Sequence, residues 1–247
     1  MGVAAALFGA CASGLPDEGG AATAGAPLRP ALALASFAPP AQPFNAVYLQ
    51  KLSRLVTVTD DDDPMKPDLH LRRARSHAAH AREARAAGDQ AATERALGDA
   101  LAEHQAALAF RSYPRADENL YELVTLLCWA RREPQARAAL ERLATEHPSS
   151  KLLPDAYLHF AELLYDVRQF DESAKLYAKV VQAPRGKLSL FAQYRQAWSD
   201  AGGGHRARAE QALHECSRAL TPAGEDPTID SRVRSECSKD AERLRRP

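Results

Sequence analysis

The side chains that do chemistry in enzymes are scattered along this chain and form no recognisable catalytic motif. His77 and His80 are three residues apart on one predicted helix, and His104 lies on the next. Three imidazoles can hold a zinc ion, but no second ligand motif accompanies them, so packing roles are favoured. The motifs G-x-S-x-G, H-E-x-x-H and the phosphate loop do not occur in the sequence. We therefore expect a protein that is not an enzyme and that binds no metal ion or cofactor.

Three of the four cysteines lie in predicted helices. Cys128 is inside the apolar run 126–129 and is expected to be a small core residue. Cys216 and Cys237 lie on the last two predicted helices, which a loop near residues 221–226 connects. They face each other if these helices are antiparallel, and an oxidising compartment permits a disulfide between them. Two unlinked buried thiols are the alternative.

Composition indicates a helical protein without a global attraction to nucleic acid. The chain has 247 residues, which is enough for a sizeable core and allows one or two domains. Its formal net charge is zero, so charge gives no argument for nucleic-acid binding. Aromatic residues make up only 6%, while Ala, Leu, Arg and Glu dominate, and these residues favour helices over strands.

Small residues and prolines recur at a nearly constant step. Ala102 and Pro114 are each followed 34 residues later, by Ala136 and Pro148, and Ser173 and Ala209 extend the series by 37 and 36 residues. This is the signature of tetratricopeptide repeats, in which a small residue lets neighbouring helices approach and a proline ends each unit. We predict an all-α fold, a tetratricopeptide superhelix of αα-hairpins over residues 44–247. An ordinary helical bundle is the alternative.

Hydrophobic periodicity sets the predicted helices. They cover residues 44–58, 66–87, 89–112, 115–131, 133–146, 153–167, 170–182, 187–201, 205–220 and 227–245. The last has a charged outer face and is expected to cap the array.

The first 43 residues differ from the rest of the chain. Residues 1–11 resemble the end of a bacterial lipoprotein signal peptide, because small apolar residues precede Cys11, which would carry the lipid. The resemblance implies an anchor on the periplasmic face of the outer membrane, since Ala12 is not the Asp that directs such proteins elsewhere. Secretion by another route and a chance cysteine in a cytoplasmic protein are the alternatives. Residues 12–43 are rich in Ala, Gly and Pro and are predicted to be a disordered tether.

Several short segments resemble one subfamily of tetratricopeptide proteins. They are Tyr113-Pro114, residues 147–150, residues 154–157 and residues 194–198. The subfamily includes the lipoprotein of the outer-membrane β-barrel assembly machinery, the periplasmic coordinator of the Tol–Pal system and gliding-motility relatives. The resemblance implies a non-enzymatic scaffold that binds envelope proteins or peptides. A permanent structural subunit of an envelope assembly is the alternative.

The resemblance also indicates which side would bind a partner, because the first helix of each tetratricopeptide pair lines a concave groove. The predicted groove residues are Glu118, Tyr121, Glu122, Trp129, Asp155, Glu162, Tyr165, Tyr194 and Trp198. If exposed, this set suits an extended or helical peptide with apolar anchors and basic residues. Alternatively, the aromatic side chains wedge between repeats and are not available to a partner.

Overall fold

The structure, a computed structural model, describes residues 30–32, 43–183, 188–219 and 227–245. Its helices are α1 (Ala46–Val58), α2 (Lys66–Ala86), α3 (Gln90–Leu108), α4 (Ala116–Trp129), α5 (Glu133–Glu146), α6 (Leu153–Asp166), α7 (Phe170–Gln182), α8 (Ser189–Gly202), α9 (Arg206–Arg218) and α10 (Pro227–Arg245). Every predicted helix is present, and the largest difference is at the end of α3, at Leu108 instead of residue 112. These parts of the chain contain no strand. None of the described helices has the length and apolar character needed to span a membrane.

The helices pack in neighbouring pairs. The pairs are α2–α3, α4–α5, α6–α7 and α8–α9, while α1 packs on α2, and α10 packs on α9 and α8. One hydrophobic core extends from α4 to α10, and a smaller one joins α2, α3 and α4. The fold is therefore all-α and compatible with a helical repeat.

The same turn connects the two helices of each pair. It contains one residue with positive φ. The amide of the following residue donates a hydrogen bond to a carbonyl oxygen of the first helix, with an N–O distance of 2.8–2.9 Å in all four turns. The positive-φ residues are Gly88 (78°), Arg131 (57°), Arg168 (64°) and Gly204 (86°). This left-handed ending satisfies carbonyls at the helix terminus and reverses the chain. Its recurrence in all four pairs is compatible with a helical repeat.

A small buried residue follows each of these turns five positions later. The four are Thr93, Ala136, Ser173 and Ala209, which are all at most 4% exposed. Ala102, which the 34-residue step places in this series, is instead exposed on α3. The difference arises because α2 and α3 have 21 and 19 residues, whereas the helices of the later pairs have 13 or 14. The first unit is longer, so its register is not the one that a constant step predicts.

Small residues on the first helices also lie at the packing interfaces. Ala161 on α6 and Ala197 on α8 are fully buried. The Ser173 hydroxyl of α7 donates to the Ala161 carbonyl at 2.9 Å and lies 3.1 Å from the Ser199 hydroxyl of α8. A larger side chain at either alanine would overpack these contacts.

Part of the predicted tether belongs to the packed structure. Leu32 is 2% exposed and is a member of the main hydrophobic core. This corrects the expectation that residues 12–43 form a disordered tether along their whole length, since Pro30–Leu32 has a defined place. Residues 1–29, with Cys11, and residues 33–42 lie outside the described part of the chain.

Candidate partner-binding face

We call the surface of α2, α4, α6, α8 and α10 the first-helix face. A side-chain contact links each of these helices to the next. The contacts are Arg75–Glu122 between α2 and α4, Tyr121–His159 between α4 and α6, Glu162–Arg195 between α6 and α8, and Tyr194–Asp240 between α8 and α10. The face is therefore continuous from α2 to α10.

Arginines occupy both carboxylates that α4 was predicted to offer. Arg75 of α2 binds Glu122 through Nε and Nη2, at 2.9 and 2.6 Å, and reaches Glu118 at 2.5 Å. Arg115 binds the same Glu118 at 2.6 and 2.8 Å. Hydrogen bonds from Arg115, and then from Arg75, hold the pKa of Glu118 below its ordinary value. Both carboxylates are thus ion-paired with arginines of the same chain.

An aromatic contact joins α4 to α6. The Tyr121 and His159 rings have centroids 6.1 Å apart and are tilted by 58°. Burial lowers the pKa of His159 to about 4, so the imidazole is neutral near pH 7. Burial, with the charge of Asp155 as a second cause, raises the pKa of Tyr121 to about 12. Two neutral rings at this distance act by packing.

The contact between α6 and α8 is a desolvated ion pair. Arg195 Nε donates to Glu162 Oε1 at 2.7 Å, and Nη2 donates to Oε2 at 3.0 Å. The Arg195 side chain is 4% exposed and that of Glu162 is 17% exposed. The Tyr177 hydroxyl donates to the same carboxylate, and the guanidinium lies over the Tyr165 ring, 4.2 Å from its centroid. Burial lowers the pKa of Arg195, but the charge of Glu162, the charges of Tyr177 and Tyr165 and the hydrogen bonds to Glu162 together outweigh it, so the net pKa lies above the ordinary value.

A buried carboxylate organises the contact between α8 and α10. Asp240 is fully buried and accepts from the Tyr194 hydroxyl at 2.7 Å and from Trp198 Nε1 at 3.1 Å, both through Oδ2. Its Oδ1 accepts from Arg243 at 2.6 Å. Tyr194 and Trp198 are 0% and 2% exposed. Burial raises the pKa of Tyr194, which therefore keeps its proton.

The remaining predicted groove residues are partly exposed. Trp129 has the guanidinium of Arg85 4.9 Å from its ring centroid and that of Arg82 at 5.9 Å. Arg85 also donates to the Trp129 carbonyl at 3.2 Å. Tyr165 meets the Phe170 ring edge-on, with centroids 5.3 Å apart. Asp155 is half-buried in the first turn of α6.

These positions correct part of the predicted groove. Tyr194 and Trp198 do not line an open groove, because both are buried and bonded to Asp240. Glu118, Glu122 and Glu162 lie on the predicted helices, but they are ion-paired partners of arginines on neighbouring helices. Tyr121, Trp129, Asp155 and Tyr165 remain half-buried on the face.

Sequence reasoning missed the residues that bind these predicted side chains. Arg75 is 43 residues from Glu118 and 47 from Glu122 in the sequence. Arg195 is 33 residues from Glu162, and Asp240 is 42 residues from Trp198 and 46 from Tyr194. One signal was present: Arg195 stands among Phe191, Tyr194 and Trp198, where a charge without a partner would be costly.

The predicted cysteine and histidine roles also have defined places. A disulfide joins Cys216 of α9 to Cys237 of α10, and Cys128 is buried in α4. His104 is 2% exposed and shares a hydrogen bond with the buried Asn119, whose amide donates to the His104 carbonyl at 3.0 Å. Among the residues that the structure describes, no group of three or more His, Cys, Asp or Glu is arranged to hold a metal ion.

A solved structure resembles this fold. The chain is similar to the crystal structure of BtubC (BKLC) from P. vanneervenii, with 16% identity and a TM-score of 0.51. The match covers 81% of this chain and 91% of that chain. At this identity the likeness concerns the fold alone. No protein-family model matches the chain, and no curated protein matches it.

Proposed function

We propose that this protein is a non-enzymatic protein-binding scaffold, a tetratricopeptide-type superhelix that binds a peptide or protein partner on its first-helix face. The observation that carries the proposal is the character of this face, which is charged and aromatic and partly exposed. Of the large exposed apolar side chains of the described residues, Val47, Tyr48, Leu55 and Val58 lie on α1, and Met65 and Val167 lie at the ends of α2 and α6. A wet, partly charged surface of this kind suits exchangeable partners, whereas permanent interfaces are more apolar.

Half-buried aromatic side chains supply the contact area for such a partner. Tyr121, Trp129 and Tyr165 lie on α4 and α6 and keep part of their surface exposed. Aromatic residues dominate interface hot spots, because they bury large area at a low entropic cost. Since Glu118, Glu122 and Glu162 are already paired with arginines, we infer that apolar anchors, and not basic residues, recognise the partner.

Site-specific crosslinking tests the proposal. A photo-crosslinking amino acid at Thr125, half-buried on α4, should give discrete adducts with a partner in cells of the source organism. The matched control is the same amino acid at Ala138, an exposed position on α5 away from the face. Equal adducts at both positions, or none at Thr125, would remove the first-helix face from consideration.

A second candidate function, a permanent structural subunit of an envelope assembly, is favoured by α1. This helix buries Leu52 against the array, while Val47, Leu55 and Val58 are 62%, 47% and 75% exposed. An apolar stripe of this kind is typical of an interface. If the subunit is permanent, Leu55→Lys should remove the protein from a stable complex on native gels, and Thr57→Lys, at another exposed position of α1, should not.

We further propose that the protein works in the bacterial envelope, anchored through Cys11. The disulfide between Cys216 and Cys237 supports this location, because such bonds persist in oxidising compartments. Metabolic labelling with a fatty acid should mark the wild type and not Cys11→Ala, and the variant should leave the membrane fraction. A wild type that never takes up the label would rule out the anchor.

A further inference from the structure

A short segment of the chain lies against the end of the first-helix face, far from its neighbours in sequence. The Ala31 amide donates to the Tyr194 hydroxyl at 2.8 Å, across 163 residues. Leu32 is 2% exposed in the main core, while Ala31 is exposed and Pro30 half-buried. The segment is not helical. One leucine side chain and one main-chain amide therefore make contacts that a peptide ligand would make.

The side chains behind this contact are arranged to accept a main-chain amide. Because the Tyr194 hydroxyl gives its proton to Asp240, its oxygen is left as an acceptor for the Ala31 amide. Trp198 and Arg243 hold the same carboxylate in place. A chain of hydrogen bonds that ends on a buried carboxylate strengthens each of its members. The Tyr194 hydroxyl binds the main-chain amide of Ala31, and the core holds the Leu32 side chain. The side chain of Ala31 is exposed and is therefore free to vary.

We propose that the junction of α8 and α10 is a binding site for an extended, leucine-bearing peptide strand, and that Pro30–Leu32 of the same chain is its resident ligand. The inference deepens the proposed function, on which it rests, by naming a ligand class for one end of the first-helix face. Pro30 fixes its own φ, which lowers the entropy lost when the strand is ordered.

The resident segment acts as a competitor for any peptide of the same chemistry. Ligand and site belong to one chain, so binding of the segment is intramolecular and a free peptide has to compete with it. A free peptide therefore binds the wild type weakly. Displacing the segment opens the site.

Nuclear magnetic resonance of the full chain tests whether the segment occupies the site. The protein has two tryptophans, so a ¹H–¹⁵N spectrum contains two indole signals. Leu32→Asp should shift the signal of Trp198, which is bonded to Asp240, and should leave that of Trp129 in place as an internal control. An unmoved Trp198 signal in a folded Leu32→Asp protein would overturn the proposal.

Peptide binding tests whether the site is exchangeable. The probe is a fluorescent peptide of residues 28–34, Leu-Arg-Pro-Ala-Leu-Ala-Leu, followed by anisotropy. It should bind Leu32→Asp at least ten times more tightly than it binds the wild type, and it should return the Trp198 signal towards its original position. A peptide with Asp in place of the central leucine is the matched control. Equal binding of both peptides, or none to the variant, would show that the contact is internal packing and not a peptide site.

A second pair of variants keeps the test decisive if Leu32→Asp does not fold. Ala31→Pro removes the amide that Tyr194 accepts, whereas Ala31→Ser keeps it at the same exposed position. Only the proline variant should shift the Trp198 signal, and identical spectra would contradict the proposal. Crosslinking at Thr125 is independent of these variants. If Thr125 gives adducts but the fluorescent peptide does not bind, this inference is wrong and the proposed function is not contradicted.

Discussion

Replacing Glu162 by Gln should cost about 3 kcal/mol of unfolding free energy, because it leaves Arg195 desolvated without its counter-charge. The change keeps the shape of the side chain and removes only the charge. The Arg195 side chain is 4% exposed and makes two hydrogen bonds to Glu162, at 2.7 and 3.0 Å. Breaking a buried pair costs about 3–5 kcal/mol, and the 17% exposure of Glu162 favours the lower end.

The same magnitude follows from the electrostatics. Unit charges about 4 Å apart attract by about 4 kcal/mol at the dielectric constant that suits groups near a protein surface. Gln keeps part of the hydrogen bonding, which offsets some of this loss. For a chain of this size about 3 kcal/mol corresponds to a fall in the melting temperature of about 6–12 °C. Thermal and urea unfolding monitored by circular dichroism will measure it.

Another Arg–Glu pair provides a matched control. Arg137 of α5 binds Glu172 of α7, with one contact at 3.0 Å, but their side chains are 33% and 42% exposed. Exposed pairs contribute up to about 1 kcal/mol, so Glu172→Gln should have a small effect. The double variant Glu162→Leu/Arg195→Leu should recover most of the stability, since apolar replacement of a buried pair is often neutral. If Glu162→Gln costs no more than Glu172→Gln, the pair is not desolvated, and Glu162 is available to a partner after all.

The turns, the disulfide and the half-buried His159 give three further predictions. Arg168→Gly should stabilise by about 1 kcal/mol, because it removes a side chain from left-handed backbone, while Gly204→Ala should destabilise by a similar amount; unchanged urea midpoints for both would contradict this. Reduction of the Cys216–Cys237 bond should lower the free energy of unfolding by about 3 kcal/mol, the expected value for a loop closed over 21 residues, and identical melts with and without reductant would refute it. His159 has a pKa of about 4 in the folded chain, below its unfolded value of about 6.5, so the unfolded chain binds more protons and stability falls as the pH drops from about 6.5 towards 4. His159→Gln should flatten that decline in urea titrations, and an unchanged slope would show that the imidazole is not desolvated.

The helices were predictable because their signals are local. Apolar periodicity placed all ten. The first turn also has local signals, since Gly88 takes the positive φ and Asp89 caps α3 by accepting from the Ala92 amide at 2.9 Å. The register of the first unit was not predictable from a constant step. Successive positive-φ residues are separated by 43, 37 and 36 residues, since 131 − 88 = 43, 168 − 131 = 37 and 204 − 168 = 36. The extra length of α2 and α3 makes Thr93, and not Ala102, the counterpart of Ala136.

The candidate face was predictable only in part, because burial depends on residues from other helices. Counting from the repeats put Glu162, Tyr194 and Trp198 on the correct helices, but it placed them in an open groove. Whether such a side chain lines a groove or a packing interface depends on what the neighbouring unit presents. That information lies in Arg195 and Asp240, which no local pattern connects to the residues they bind. Leu32 was missed for the same reason, since its site is formed by helices more than 150 residues away.

The buried polar contacts also bear on how the units keep their order. Junctions that are purely apolar accept many neighbours, because hydrophobic burial is not directional. The junction between α6 and α8 carries a guanidinium that fits only opposite a carboxylate, and that between α8 and α10 carries Asp240, which needs the donors of Tyr194 and Trp198. A slipped arrangement would leave Arg195 or Asp240 buried without a partner, at a cost of several kcal/mol. The contacts that Glu162 makes with Arg195, and that Tyr194 and Trp198 make with Asp240, therefore favour one stacking of α6, α8 and α10 over its alternatives.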